Sequence, residues 1–126
     1  MNKRGLVGGL RYNEGKPEIS MVLEARAALE GVSRVLTHGR KKYTRGNWRK
    51  GLKQTEIVDS MARHLAAFMS GETHDTGPKG SGLPHVDHIL CNALFLSEMF
   101  HTRPDLDDRV IRDNAPKRKG RRSIRA

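Results

Sequence analysis

The chain has 126 residues, with 24 Lys+Arg against 14 Asp+Glu, one Cys, five Pro and six aromatics. That length suits one domain around a single buried core. The lone Cys91 excludes an internal disulfide framework and a four-cysteine zinc site. No segment approaches the roughly 18 unbroken apolar residues of a membrane helix, and the N-terminal MNKRGLVGGLRYNEGK has no apolar run long enough for a secretory signal. The expectation is a soluble, cytoplasmic protein.

The net charge of +10 is unevenly spread. Residues 116–126 (PKRKGRRSIRA) hold six basic residues and no acid, leaving 18 basic against 14 acidic over residues 1–115. With little to bury, this tail is expected to be disordered, and it could add weak nucleic-acid affinity. A second block, Arg40 to Lys53 (RKKYTRGNWRKGLK), has seven Lys/Arg and no acid. It also contains Tyr43, Asn47 and Trp48, which a ligand could order.

In chain order, Gly-rich residues 1–17 read as an irregular arm. From Glu18, Val22, Ala25, Leu29, Val32 and Leu36 recur every three or four residues. This predicts one amphipathic helix ending near His38–Gly39, with Gly39 as its left-handed terminator. The basic block follows as a loop. A second helix is predicted from about Lys53 to Ser70, with Ile57, Met61, Leu65 and Phe68 on one stripe and Gly71 as its stop. Residues 72–83 are dense in turn formers. Pro84 then suits the first position of a third helix, whose buried stripe is Val86, Ile89, Leu90, Ala93, Leu94 and Phe100, ending near Arg103–Pro104. No alternating strand or internal repeat is present. The fold class is all-α, a small bundle of about three main helices over residues 1–103, with residues 104–126 as a basic, largely disordered tail. So small a core predicts pairing with another copy into an oligomer.

Polar residues gather in one window. His85, His88 and Asn92, spaced i, i+3, i+7, share a ridge of the third helix. Two imidazoles on adjacent turns can reach one divalent ion, although such a pair is also what ordinary interface histidines look like. Glu72 and Asp75 lie just past the C-terminal, partially negative end of the second helix, where two carboxylates call for a cation. His64 borders that helix's apolar stripe. Arg63 shares a helix face with Glu56 and Asp59, where the simpler reading is a solvated Asp59–Arg63 pair. The block from His38 to Lys53 suits a triphosphate clamp with Trp48 stacking on a base, or contact with nucleic-acid phosphates. Walker A, HExxH, GxSxG and GxGxxG patterns are absent.

The string GGLRYNEGKP, HGRKKYTRGNWRKG, ARHLAAFMSGETHD and SGLPHVDHILCNALFL resembles the phage dATP/dGTP diphosphohydrolase family, small relatives of the MazG-like all-α nucleotide pyrophosphohydrolases. The likeness covers about residues 8–100. It implies a metal-dependent hydrolase that cleaves dGTP, and also dATP, between the α and β phosphates to the monophosphate and pyrophosphate. In phages that replace adenine by 2-aminoadenine, such an enzyme supplies dGMP to the modified-base pathway. By this likeness Lys16, Lys42, Tyr43, Asn47 and Trp48 match the GKP and KYxxxNW blocks. Arg63, His64, Glu72 and Asp75 match RH…GExxD, and His85, His88 and Asn92 match HxxHxxxN. The EExxE motif of MazG-like enzymes does not precede Glu72, so ligands are not carried over from that wider group.

The expected site therefore has His64, Glu72, Asp75, His85 and His88 around a divalent metal (Mg, Mn or Co). Lys16, Lys42, Tyr43, Asn47, Trp48 and Asn92 are expected on the substrate, with Glu72, Asp75 and Arg63 as catalytic groups. The general base is left between metal-bound hydroxide and one of the carboxylates. The rival expectation is a basic helical module that binds nucleic acid without catalysis, which would need a basic stripe on an exposed helix. A nucleotide sensor with the same pocket and no turnover is a third.

Overall fold

The computed structural model describes residues 8–112, so the predicted disorder of residues 116–126 falls outside the described residues. The elements are α1 (Ser20–Leu23), α2 (Arg26–Gly39), a 3-10 turn at Asn47–Lys50, α3 (Gln54–Met69), α4 (His85–Thr102) and a second 3-10 turn at Pro104–Leu106. Among the described residues there is no strand, and an isolated antiparallel bridge pairs His74 with Pro84. No described helix is long and apolar enough to cross a membrane. The all-α prediction holds.

The central helix is α4. It packs along α3 as an antiparallel pair, with Asn92 beside Ser60 at one end and His85 beside His64 at the other. Its other flank meets α2, where Val32 and Val35 close on Cys91, with Leu36, Leu83 and Phe95 packed around them. Gly31 permits close approach of α2 and α4, because a side chain there would collide with the Asp87 carboxylate.

The helix predicted from Glu18 is not continuous. It breaks at Ala25 (φ −86°, ψ 62°), and Val22 stays 60% exposed. The apolar period runs through the break, but α1 buries none of its residues. The stretch 26–39 keeps its helix by burying Val32 and Val35 instead. Gly39 is likewise a correction: it ends α2 in right-handed conformation, and the left-handed glycine of this loop is Gly46 (φ 74°). Gly71 does stop α3. At φ 103° it donates its N–H to Phe68 O while Glu72 donates to Ala67 O, the paired bonds of a Schellman ending.

Pro84 sits one residue earlier in the helix than predicted, as its N-cap (φ −61°, ψ 138°). The bridge to His74 and the His85 N–H bond to Thr73 O keep Pro84 extended. Beyond Arg103, Asp108 accepts from the Thr55 backbone N–H (2.9 Å) and hydroxyl (2.6 Å). That carboxylate caps the start of α3, where Lys53 offers no capping side chain.

The predicted buried stripe of α4 is turned outward. Val86, Leu90, Leu94 and Phe100 are 37–59% exposed, while His85, Cys91 and Met99 are buried. On α3, Ile57 is buried as predicted, but Leu65 and Phe68 are half exposed. The reason is polar. The ridge of His85, His88 and Asn92 must find hydrogen-bond partners if it is to leave water, and those partners lie on α3 and the loop after it.

A candidate metal centre opening into a basic cavity

Three predicted residues converge from three elements: His64 of α3, Asp75 of the loop and His88 of α4. One ligand atom of each lies within 4.8 Å of the other two. The His64 and His88 rings stack in parallel (centroids 4.3 Å apart, interplanar angle 1°), and His88 Nε2 is 3.9 Å from Asp75 Oδ2.

The loop that delivers Asp75 is tightly wound. Asp75 donates its N–H to Leu83 O and accepts from Gly82 N–H at its carbonyl (2.7 Å), while the Ser81 N–H donates to Asp75 Oδ2 (3.2 Å). Ser81 Oγ lies 2.7 Å from His88 Nε2 and accepts from the Leu83 N–H. Ser81 thus ties the carboxylate to the imidazole.

The other two predicted ligands stand behind this triad. His85, 3% exposed, has its Nδ1 2.9 Å from His64 Nδ1 and its Nε2 2.7 Å from Glu72 Oε1. Asn92 donates to Ser60 Oγ and to the His88 carbonyl, which commits its amide nitrogen to the α3–α4 contact. Arg63 is exposed beside His64, and among the described residues no ion pair joins it to Asp59.

Burial lowers the pKa of both His64 and His88. Asp75 opposes the shift in both; His85 and Arg63 add to it at His64, and His64, His85 and His38 add to it at His88. Uncharged rings present lone pairs, so two imidazoles and a carboxylate form a donor set that suits a divalent cation.

The same shifts carry a stability prediction. The folded values lie below the ordinary value of about 6.5, so between them and about pH 6.5 the unfolded chain binds more protons. Stability is therefore complete above that window and falls as pH is lowered through it. Thermal melts of metal-free protein should show the midpoint dropping below about pH 6.5, and the paired change H64N/H88N should flatten this slope. Equal slopes would show that these imidazoles do not control it.

His88 also lines an open cavity of about 1160 Å³ between α2, the basic loop and α4. Arg40, Lys42, Arg45 and Arg49 bring positive charge to its walls, with Tyr43 and Asn47 beside them. Trp48 stacks on Phe95 (centroids 4.5 Å, 23°). One indole face is therefore already covered from within the chain. Lys16 lies in the N-terminal arm and is not among the lining residues.

Ser81, Phe95 and Cys91 are not site candidates by sequence, and His38 enters there only as the edge of the basic block. Phe95 could have been found by extending the His88 ridge seven residues on. Cys91 looks like an ordinary core residue, and burial pushes its thiol up to about 11. His38 closes the α2 end of the cavity. Ser81 carried no signal beyond its place in a glycine-rich loop.

The profile of the family described as dATP/dGTP diphosphohydrolase, N-terminal, matches residues 7–109. The chain belongs to the dATP/dGTP diphosphohydrolase family. A protein of Salmonella phage PMBT28 named dATP/dGTP diphosphohydrolase is 34% identical over 101 residues, which cover 80% of this chain and 33% of that protein. The chain thus spans about a third of the length of that relative. No solved structure matches. In this diphosphohydrolase-family domain the matched span contains α2, α3, α4, the histidine–aspartate cluster and the whole cavity lining.

Proposed function

We propose that the domain hydrolyses purine deoxynucleoside triphosphates, dGTP and also dATP, at the α–β bond. The products are dGMP or dAMP and pyrophosphate. One observation carries this reading: His88 belongs both to the His64–Asp75–His88 cluster and to the wall of the basic cavity. A cation site and a polyanion site thus share a side chain. The family's name and that of the phage relative support the substrate class.

His64, Asp75 and His88 would hold Mn, Co or Mg, the last arriving with the triphosphate. When bound, the ion neutralises phosphate charge and lowers the pKa of a coordinated water. The chain's own groups orient the substrate. Lys42, with Arg40, Arg45 and Arg49, faces the phosphates from the cavity wall, and exposed Arg63 can reach a phosphate oxygen from the His64 side. Tyr43 and Asn47 border the nucleoside, while the Trp48–Phe95 pair gives it an apolar floor. Water attacks the α-phosphorus and the pyrophosphate oxygen departs in line. The dGMP released would feed synthesis of 2-aminoadenine deoxynucleotides.

Incubation with each dNTP and Mg, Mn or Co, followed by ion-exchange separation, tests this. Monophosphate with pyrophosphate from dGTP or dATP is expected. Diphosphate with phosphate would mean a different bond, and no turnover would leave a binding module for nucleic acid or nucleotide. We further propose that the outward faces of α3 and α4 (Leu65, Met69, Leu90, Leu94), 37–75% exposed in one chain, are covered by a second copy. Sedimentation velocity should show a dimer or larger species, and a monomer would remove this reading.

A further inference from the structure

Behind the candidate cation ligands runs a partly buried hydrogen-bonded line: Glu72 Oε1, His85 Nε2 at 2.7 Å, then His85 Nδ1 and His64 Nδ1 at 2.9 Å. The donors and acceptors in it are constrained by chemistry. A carboxylate oxygen can only accept, so the His85 proton lies on Nε2. A ring with its single proton there has a bare Nδ1, which can only accept. Across 2.9 Å two bare nitrogens would repel and two N–H groups would collide, so with one proton on His85 the His64 proton belongs on Nδ1. That leaves His64 Nε2 with a free lone pair.

We propose that Glu72 and His85 are positioning residues that fix the tautomer and ring orientation of His64, so that its Nε2 is always available to the cation. This rests on the reading of His64 as a ligand. It also gives Glu72 and His85 a role other than coordination. His85 is 3% exposed and spends both ring nitrogens on protein partners, and Glu72 reaches inward from a half-exposed position to meet it. Such partners commonly alter metal affinity 10–100-fold although they never touch the ion.

Glu72→Gln tests the line with little risk to folding, because Glu72 lies at the surface. The amide can donate as well as accept, so both His85 tautomers become accessible and His85 no longer dictates that of His64. Imidazole nitrogen NMR on metal-free protein should show wild-type His64 protonated on Nδ1 and His85 on Nε2. E72Q should show mixed forms, and its Mn dissociation constant by calorimetry should rise about 10–100-fold. Wild-type His64 protonated on Nε2 would overturn the proposal, as would E72Q with unchanged tautomers and Mn affinity. Wild-type protein with the expected tautomers but no Mn binding would instead overturn the ligand reading of His64, so the two failures are distinguishable.

Discussion

Asp75→Asn should lower pyrophosphate release on the order of 10³-fold, the scale seen when one charge-stabilising group is taken from an active site. The substitution is nearly isosteric. The side-chain oxygen can still accept the Ser81 N–H, so the loop keeps its bond and folding should change little. What disappears is the negative charge beside two imidazoles, and with it the anionic member of the donor set. Rates at saturating Mn, compared with melting midpoints of the same samples, separate chemistry from folding. A near-wild-type rate would reduce Asp75 to a residue that organises its loop. His88→Ala is a poorer test, because it also removes the stack on His64 and the Ser81 contact.

The second large effect is expected at a glycine that touches no substrate. A Cβ on Gly80 would lie 2.8 Å from the Asp75 carbonyl carbon and 2.9 Å from the Gly77 nitrogen. These are backbone atoms, so no side-chain rotation can relieve the overlap. Gly80→Ala should destabilise the domain by about 1–3 kcal/mol, as overpacking does. It should also slow hydrolysis about 100-fold, because displacing a reacting-centre group by about 1 Å costs that much. Gly77→Ala is the control: its Cβ meets nothing within 4 Å, and both properties should stay close to wild type. If the two variants behave alike, the winding of this loop does not set the position of Asp75.

Much of the helical layout was legible because local rules govern it. The stop at Gly71 follows from the left-handed conformation that Gly adopts readily. The start of α4 near Pro84 follows from the fixed φ of proline. The roles within the polar ridge were not legible. Spacing i, i+3 places His85 and His88 on one side of α4, yet they stand about 60° apart and about 4.5 Å along the axis. That offset sends one ring back to Glu72 and His64 and the other forward to Asp75, Ser81 and the cavity. Sequence distance could not separate the two outcomes.

The amino-acid sequence by itself determined the helical class, the bounds of α3 and α4 to within a residue or two, and the inventory of imidazoles, carboxylates and cations. These depend on contacts between near neighbours along the chain. Tertiary structure alone decided which face of α4 turns inward. That helix is apolar around much of its circumference, so the predicted stripe of Val86, Leu90, Leu94 and Phe100 was not its only apolar face, and the need to satisfy buried polar groups on α3 and the following loop turned it outward.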